Sequence, residues 1–570
     1  MINLSIVDIQ SDDLKLNDNQ KKEFIITIYG IDESNNRVIT HVTGYYPYFY
    51  LKIPNHWERK NGERLIKDIC DKSFKSLKKK TKFSYNTFEN VKQCEIQISK
   101  ELYGLQWNHN TNNVQSFNFL KITLYSHQSM KKLITEIKKY YHSNDNTILY
   151  KEWLESSESS VADCNLYESS IHPVIRFIHD TKINPTGWIS FQTIEAQFNT
   201  GIFSCENEYT TTYKNIIPID NDKPISYRVA SFDIECDSLH GDFPMAYKNF
   251  KKFSGEIFES YQNIIKNTNT LVSSTIKSNC KGYIAKLIQY GFNDVPLLST
   301  IQNYVNIHKL QIKNNEEPSE ETFLDISNII CDKLSDNLNN LEITSKDRES
   351  TINDINDIIN DYYTKLNISV EGDPIIQIGT VFYDFVTGDI FRHILVIPHN
   401  NETKICDKIE NITVEECKDE KELLIGWTNI INKMDPDFIT GYNIFGFDFK
   451  YIHDRAEILF PCNCKNKKYY HDKKCNYNEF MNFGKINMTS FGASSHQNKS
   501  CKMNTQRLSS SALGDNTLNY ISMDGRILFD IQKEVQKGHN LESYKLDNVA
   551  AHFMRGKLKS IVDKRVTVSD

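Results

Sequence analysis

The chain alternates short apolar, β-branched runs with stretches of helical spacing, a pattern typical of mixed α/β proteins. Residues 24–53, FIITIYGIDESNNRVITHVTGYYPYFYLKI, predict three strands separated by turns at asparagine and glycine. An apolar run at 119–124 and an amphipathic stretch at 130–141 continue the same α+β pattern. These signals predict an amino-terminal mixed domain over residues 1–220.

The second half of the chain predicts an α/β domain over residues 221–570 that two polar segments interrupt. ISYRVASFDIEC (225–236) is typical of a half-buried strand, and 374–397 predicts a hairpin turning at Thr387-Gly388-Asp389. KELLIGWTNIINKM predicts a helix, DFITGYN a short buried strand, and the residues after Gly446 another helix. The segments at about 245–371 and 461–507 are polar, and we interpret them as insertions.

Composition places the chain among ordinary globular proteins, with 39% hydrophobic and 25% charged residues. No apolar run approaches the roughly 20 residues of a membrane span, and the amino terminus lacks a secretory signal pattern. We therefore expect an intracellular protein that is not secreted and has no membrane partner. The net charge of −7 argues weakly against a nucleic-acid partner, although net charge conceals local patches.

The first candidate chemistry lies in SFDIEC, where Asp233 and Glu235 are two residues apart. On a strand this spacing directs both carboxylates from one face, with backbones roughly 6–7 Å apart. Carboxylates so placed repel each other unless a cation lies between them, and hard oxygen ligands suit Mg²⁺ or Mn²⁺. Taken alone, a salt-bridged surface pair is the more common explanation.

The second candidate is Asp448 in GYNIFGFDFKYI, at the opening of a helix that follows a strand. Such a position places a carboxylate over the end of a central sheet, where ligands collect in α/β folds. A favourable charge in a first helical turn is the simpler explanation when this segment stands alone.

Together these segments resemble family B DNA polymerases. SFDIECDSLHGDFP is similar to the first exonuclease motif of that family, and DPDFITGYNIFGFDFKYI to the second. GYYPYFYLKIP, FLKITLYS and LYESSIHPVIRF resemble its amino-terminal domain, and MDGRILFD and SYKLDNVAAHF the segment leading to the third motif. The similarity is strongest to the delta-like polymerases of eukaryotes and large DNA viruses. SSSALGDNTLNY and the long insertion after Phe243-Pro244 favour a large-virus source.

The resemblance implies a ribonuclease-H-like 3′→5′ proofreading exonuclease fold, incomplete at its carboxyl end, that uses two Mg²⁺ or Mn²⁺ ions. Asp233 would bridge both ions, Glu235 would bind one, and Asp448 would hold the second. Asn443 and Phe447 would bind the single-stranded 3′ end of a DNA primer-template.

The family's third motif, a Tyr followed four residues later by an Asp, has no counterpart after Tyr544, and the polymerase palm signatures are also missing. We therefore expect the amino-terminal part of a DNA-directed DNA polymerase, active when completed in cis or by a second chain. A stand-alone exonuclease and a non-catalytic remnant that binds nucleic acid are the alternatives. A sliding clamp is a further candidate partner, and the nucleus or a cytoplasmic viral replication site the expected location.

A weaker metal signal lies in the second insertion, where Cys462, Cys464, His471 and Cys475 form C-x-C-x₆-H-x₃-C. Structural zinc sites usually have C-x₂₋₄-C spacing. We therefore favour reduced loop cysteines over a zinc site.

Overall fold

The computed structural model describes most of the chain. The described residues are 1–14, 22–78, 86–100, 107–108, 112–155, 164–194, 204–238, 243–267, 273–293, 296–297, 301–310, 312, 318–338, 340–366, 368–398, 409–461, 479–486, 501–510 and 514–554. The four candidate zinc ligands of the second insertion lie outside these residues. None of the helices in the described part of the chain is long and apolar enough to cross a membrane.

The amino-terminal part contains twelve described strands and four α-helices. The strands are β1 (Ile2–Leu14), β2 (Glu23–Asp32), β3 (Arg37–Thr43), β4 (Tyr48–Ile53), β5 (Val91–Ser99), β6 (Trp107–Asn108), β7 (Asn113–Val114), β8 (Phe117–Leu124), β9 (Leu166–Tyr167), β10 (Trp188–Phe191), β11 (Asn207–Thr212) and β12 (Ile217–Ile219). The helices are α1 (Arg59–Lys78), α2 (His127–Tyr141), α3 (Ile148–Glu155) and α4 (Pro173–Thr181). Short 3₁₀ helices occupy Thr87–Asn90 and Tyr213–Asn215.

These strands form two principal sheets rather than one. The first has the order β11-β3-β2-β1-β10-β12, and the second has the order β5-β8-β4-β9, with β6 and β7 as a separate pair. Each principal sheet has its own hydrophobic core. The three strands predicted at 24–53 therefore divide between the sheets, because β2 and β3 join the first and β4 joins the second.

The second half contains eight described strands and eight α-helices. The strands are β13 (Arg228–Cys236), β14 (Ile375–Asp384), β15 (Ile390–Val396), β16 (Thr413–Glu416), β17 (Phe438–Gly441), β18 (Lys502–Ser510), β19 (Gly514–Ser522) and β20 (Ile527–Asp530). The helices are α5 (Lys251–Asn267), α6 (Ser273–Phe292), α7 (Glu320–Leu338), α8 (Ser345–Lys365), α9 (Glu420–Met434), α10 (Asp448–Leu459), α11 (Ile531–Gly538) and α12 (Leu546–Phe553). A 3₁₀ helix lies at Gln302–Tyr304.

A six-stranded mixed sheet, in the order β16-β15-β14-β13-β17-β20, forms the centre of this half. β13 pairs antiparallel with β14 and parallel with β17, and β17 pairs parallel with β20. Apolar residues of α9 and α10 form one core with the buried side of the sheet. The mixed α/β multidomain architecture predicted from the sequence is thus confirmed.

The two polar segments have different structures. The first contains helices α5 to α8, which pack around their own core of aromatic and branched side chains. The second is polar at the sequence level, but its last described residues belong to β18, which forms a hairpin with β19. KMNTQRLSS has polar residues on both faces of the strand, so it lacks the apolar–polar alternation that would have predicted a strand from the sequence.

Buried ion pairs connect the amino-terminal sheet to the central sheet. Arg37 on β3 donates to Asp437 Oδ2 at 2.8 Å, and Lys485 Nζ donates to Asp437 Oδ1 at 3.1 Å. Asp437 lies directly before β17, and Arg228 at the start of β13 donates its backbone N–H to the same carboxylate. The two strands that lead to the candidate carboxylates therefore begin at one fixed point.

Candidate active site

Asp233 and Glu235 project from the open face of β13. Ala230, Phe232 and Ile234 alternate with them and are buried on the opposite face, against the core shared with α9 and α10. Asp233 lies directly opposite Gly379 of β14. A Cβ at Gly379 would have no heavy atom within 4 Å, so the surface beside Asp233 is open.

Asp448 reaches the same edge of the sheet through a tight loop after β17. The loop requires two special residues. Asn443 has a φ of 62°, a left-handed conformation that asparagine tolerates better than most residues. At Gly446 a Cβ would lie 2.2 Å from Asn443 Oδ1, so any larger residue would displace the asparagine side chain. α10 begins at Asp448, where sequence reasoning expected a helix to open.

Asp530 holds this loop in place. Its carboxylate accepts the backbone N–H of Asn443 at 3.0 Å and that of Phe445 at 2.9 Å. It also caps α11 by accepting the N–H of Gln532 at 2.9 Å, and it is only 1% exposed. Sequence reasoning missed this residue as a site residue. The available signal was an Asp between a strand-like run and a helix, the usual position of an N-cap.

The carboxyl groups of Asp233 and Asp448 lie side by side and perturb each other. Burial, together with the neighbouring charge of Asp233, raises the pKa of Asp448 to about 7. Partial burial also raises the pKa of Asp233, although the N–H of Ile234, which donates to Asp233 Oδ1 at 3.1 Å, acts in the opposite direction. Two adjacent carboxylates in such a site need either a shared proton or a cation.

The oxygen atoms available at this pair fit a divalent cation. Asp448 is 3% exposed, and its Oδ1 is buried without a hydrogen-bond partner among the described residues. An unsatisfied buried carboxylate oxygen is costly, and a hard cation would satisfy it. Asp233 and Asp448 are therefore suited to binding Mg²⁺ or Mn²⁺.

Glu235 stands further from this pair. Within the described part of the chain, three potential ligands with atoms within 4.8 Å of one another occur only at His453, Asp454 and Glu457 on α10. The three candidate carboxylates do not form such a group. The structure thus brings Asp233 and Asp448 together and leaves Glu235 exposed on the same strand face.

Aromatic side chains lie beside the carboxylates. Phe447 directly precedes Asp448, and its ring lies 5.1 Å from that of Tyr451 and 5.3 Å from that of Phe243, between centroids. Phe243 is 76% exposed. An exposed ring supported by a half-buried one can stack against a nucleotide base.

A largely apolar cleft of about 850 Å³ opens beside Asp233. One wall is the open sheet face at Ser231, Gly379 and Val381, and the other is formed by α11 and α12. Tyr442 lines the cleft, and its hydroxyl donates to the carbonyl of Tyr544 at 2.6 Å. The cleft provides space for a substrate or a further polypeptide segment next to the carboxylates.

Comparison with known proteins shows the family. The family model described as DNA polymerase family B, exonuclease domain, matches residues 164–254 and 300–549, which is more than half of the chain. The chain therefore belongs to DNA polymerase family B and contains the exonuclease domain of that family, as the sequence motifs predicted.

Individual relatives match nearly the whole chain. A DNA polymerase of Pyramimonas orientalis virus is 28% identical over 97% of this chain and 42% of its own length. The DNA polymerase delta catalytic subunit of Dictyostelium discoideum is 23% identical over 94% of this chain and 33% of its own. A solved family B polymerase from Pyrobaculum calidifontis aligns with 97% of the chain and 39% of its own, at a TM-score of 0.43 and 12% identity. The chain thus spans less than half the length of these relatives.

Proposed function

We propose that this chain supplies the 3′→5′ proofreading exonuclease site of a DNA-directed DNA polymerase that acts in DNA replication. The observation that carries the proposal is the adjacent pair of Asp233 and Asp448, which meets at the carboxyl ends of parallel strands β13 and β17. Membership of family B supports it, because the same residues lie in the segments that resemble the first two exonuclease motifs.

Asp233 and Asp448 would hold the metal at this site, and Glu235 would contribute a ligand from the open face of β13. Two Mg²⁺ or Mn²⁺ ions would supply activation of the attacking water and stabilisation of the leaving 3′ oxygen. Asp530 fixes the loop between β17 and α10, so it positions Asp448 without contacting the substrate.

The substrate we propose is the single-stranded 3′ end of a DNA primer. Asn443 and Phe447 lie on the loop that carries Asp448 and would bind the terminal nucleotides, the aromatic ring by stacking. Only a frayed end would reach carboxylates on a sheet face, and a mismatched terminus frays at lower energetic cost than a paired one. This difference would give the site its preference for misincorporated nucleotides.

We propose further that the site works together with the rest of the polymerase, in cis or as a second chain, inside the cell where DNA is replicated. The open face of the central sheet and the adjoining cleft would be covered by that remainder, which would add a fourth carboxylate. A sliding clamp would be a further partner of the complete enzyme. Relatives that carry the name DNA polymerase support this arrangement.

The test is release of nucleotides from a 5′-labelled single strand in Mg²⁺ or Mn²⁺, by this chain alone and within the full polymerase. We expect release in the full polymerase, abolished by Asp233→Ala and unaffected by Asp454→Ala further along α10. Release by the chain alone would favour a stand-alone exonuclease. Failure of the full polymerase to release nucleotides with either ion would refute the proposal.

A further inference from the structure

The helical segment between Pro244 and Asp373 has no role in the site described so far. Its four helices, α5 to α8, form a separate core that includes Phe253, Tyr261 and Tyr363. An element that only filled space would need no fixed orientation relative to the carboxylates. The contacts at its base attach it to the helix that begins at Asp448.

Asp373 clamps the two ends of the segment together. This carboxylate is 1% exposed and accepts the backbone N–H of Met245 at 2.9 Å and a hydrogen bond from the Lys248 ammonium. The backbone N–H of Asp373 donates to Met245 O at 2.9 Å. A Cβ at Gly372 would lie 2.0 Å from Ala246 O, so only glycine permits this approach.

The clamp is attached to α10, the helix that begins at Asp448. Arg455 on α10 is buried, pairs with Glu420 and donates to the carbonyl of Ala246 at 3.3 Å. The hydroxyl of Tyr451 donates to Asp373 O at 2.9 Å. These bonds attach the base of the bundle, at Ala246 and Asp373, to the helix that begins at Asp448.

A groove of about 490 Å³ lies between the bundle and the segment that enters it. Phe243 and Met245 form its apolar end, and both are exposed. The charged residues of the lining are four lysines and two glutamates, which are Lys248, Lys251, Lys252, Lys309, Glu256 and Glu371. His308 also lines the groove, with its ring nitrogen 2.7 Å from Glu256. The lining thus carries two more lysines than glutamates, and Asp373 and Glu349 pair with two of these lysines from outside it.

Two of these lysines can exchange their present partners for phosphate. Lys251 is 3.8 Å from Glu349 and Lys252 is 3.9 Å from Glu256, and both lysine side chains are about half exposed. The Lys251–Glu349 pair is exposed on both sides and contributes little free energy in water, so a phosphate can replace Glu349 at small cost. The Glu256 side chain is 13% exposed and keeps its bonds to His308 when Lys252 turns to a phosphate. Both lysines lie in the first turn of α5, whose N-terminal end also favours an anion.

The other two lysines are held in place. Lys248 is bound to Asp373, and Lys309 donates to the carbonyls of Tyr290 and Asn293 at the end of α6. Lys309 adds fixed positive charge to the wall, whereas Asp373 balances the charge of Lys248. Lys251 and Lys252 are therefore the residues to test.

The groove is continuous with the candidate active site. Phe243 forms its apolar end and contacts Phe447, which directly precedes Asp448. A strand with its 3′ end at the carboxylates and a base against these rings would enter the groove next. The aromatic end suits stacking against a base, and the exposed lysines beyond it suit contact with phosphates.

We propose that this groove binds the single-stranded DNA that lies several nucleotides back from the 3′ end, with its phosphates at Lys251 and Lys252. The inference rests on the proposed exonuclease function and adds the helical segment to the substrate path.

The experiment measures binding of labelled oligothymidylates of about four and about twelve nucleotides in EDTA, over a range of salt concentrations. The variant is Lys251→Ala/Lys252→Ala. The control is Lys266→Ala/Lys286→Ala, which removes two exposed lysines of α5 and α6 outside the groove lining. Circular dichroism confirms that both variants fold, and Lys251→Arg/Lys252→Arg tests rescue by retained charge.

We expect the groove variant to bind the longer strand more weakly and the shorter strand as the wild type does. The log–log slope of its affinity against salt concentration should fall by about 0.7 for each phosphate that no longer has a lysine partner. The control and the arginine variant should keep the wild-type slope. Equal slopes in the groove variant and the control would overturn the inference and leave the exonuclease proposal intact. Failure of the wild type to bind the longer strand would also overturn the inference, while nucleotide release by the full polymerase tests the exonuclease proposal separately.

Discussion

Arg37 donates to Asp437 across 2.8 Å at a position where both side chains are buried, 400 residues apart in the sequence. This pair joins the amino-terminal sheet to the strand that leads to Asp448. Removing the guanidinium would leave Asp437 with Lys485 as its remaining cationic partner and the carbonyl of Ser226 without its donor.

We expect Arg37→Met to lower the free energy of unfolding by about 2 to 4 kcal/mol, because one partner of a buried ion pair is lost. Urea unfolding followed by circular dichroism measures the change. Arg59→Met is the matched control, since Arg59 is 60% exposed and pairs with Glu63 in the same helix. A decrease no larger than that of the control would show that the pair does not couple the two sheets.

Asp530→Ala should weaken Mn²⁺ binding by about tenfold, because an outer residue that orients a ligand typically contributes this much. It should also destabilise α11, whose N-cap it removes. Asp419→Ala separates the two effects. Asp419 caps α9 in the same manner, so its removal should cost about 1 kcal/mol of stability without changing Mn²⁺ affinity. Equal Mn²⁺ affinity in both variants would contradict the positioning role.

The pKa of Asp448 predicts a pH dependence of the metal-free protein. The folded pKa of about 7 lies above the ordinary value of 3.8, so the folded protein retains a proton that the unfolded chain releases. The contribution of this group to the free energy of unfolding therefore falls as pH rises from about 4 to about 7. Above pH 7 the ionised Asp448 destabilises the folded protein by a constant amount.

Asp448→Asn removes the charge that destabilises the folded protein at high pH. In EDTA at pH 8 we expect it to raise the free energy of unfolding by about 1 to 3 kcal/mol, with no gain at pH 4. Asp454→Asn on the same helix is the control. Although burial opposes it, hydrogen bonds from His453 and Lys450 lower the pKa of Asp454, so that variant should lose stability at pH 8. A stabilised Asp454→Asn, or an Asp448→Asn variant without gain at pH 8, would count against the raised pKa of Asp448.

Alanine should impair DNA binding when it replaces Gly446 and should stabilise the protein when it replaces Gly282. Gly446→Ala would displace the Asn443 side chain, whose Oδ1 lies 2.2 Å from the added Cβ position, and should weaken single-strand binding. Gly282→Ala in α6 adds a Cβ with no heavy atom within 4 Å and should stabilise the protein by about 0.5 to 1 kcal/mol. Anisotropy titration and thermal unfolding measure the two effects. Unchanged DNA affinity in Gly446→Ala would remove Asn443 from the proposed binding surface.

The sequence predicted those parts of the fold that local pattern determines. The alternation in RVASFDIEC identified β13, helical spacing identified α9, and the strand–loop–helix order placed Asp448 at the start of α10. Each depends on residues within about ten positions of one another.

The parts that local pattern could not predict depend on distant residues. β1 pairs with β10, whose partner residues Ile2 and Phe191 lie far apart in the sequence, and Arg37 meets Asp437 across 400 residues. The division of the amino-terminal part into two sheets follows from such pairings. Asp530 was missed for the same reason, because its partners Asn443 and Phe445 are 87 and 85 residues away.

The most direct test of the proposed metal site is to measure Mn²⁺ binding to this chain by electron paramagnetic resonance. We predict that the wild type binds Mn²⁺, that Asp233→Ala and Asp448→Ala abolish this binding, and that Glu235→Ala weakens it. The variant His453→Ala/Glu457→Ala, which removes two members of the cluster on α10, should bind as the wild type does. Mn²⁺ binding that survives in Asp233→Ala but disappears in His453→Ala/Glu457→Ala would contradict a metal site at Asp233 and Asp448.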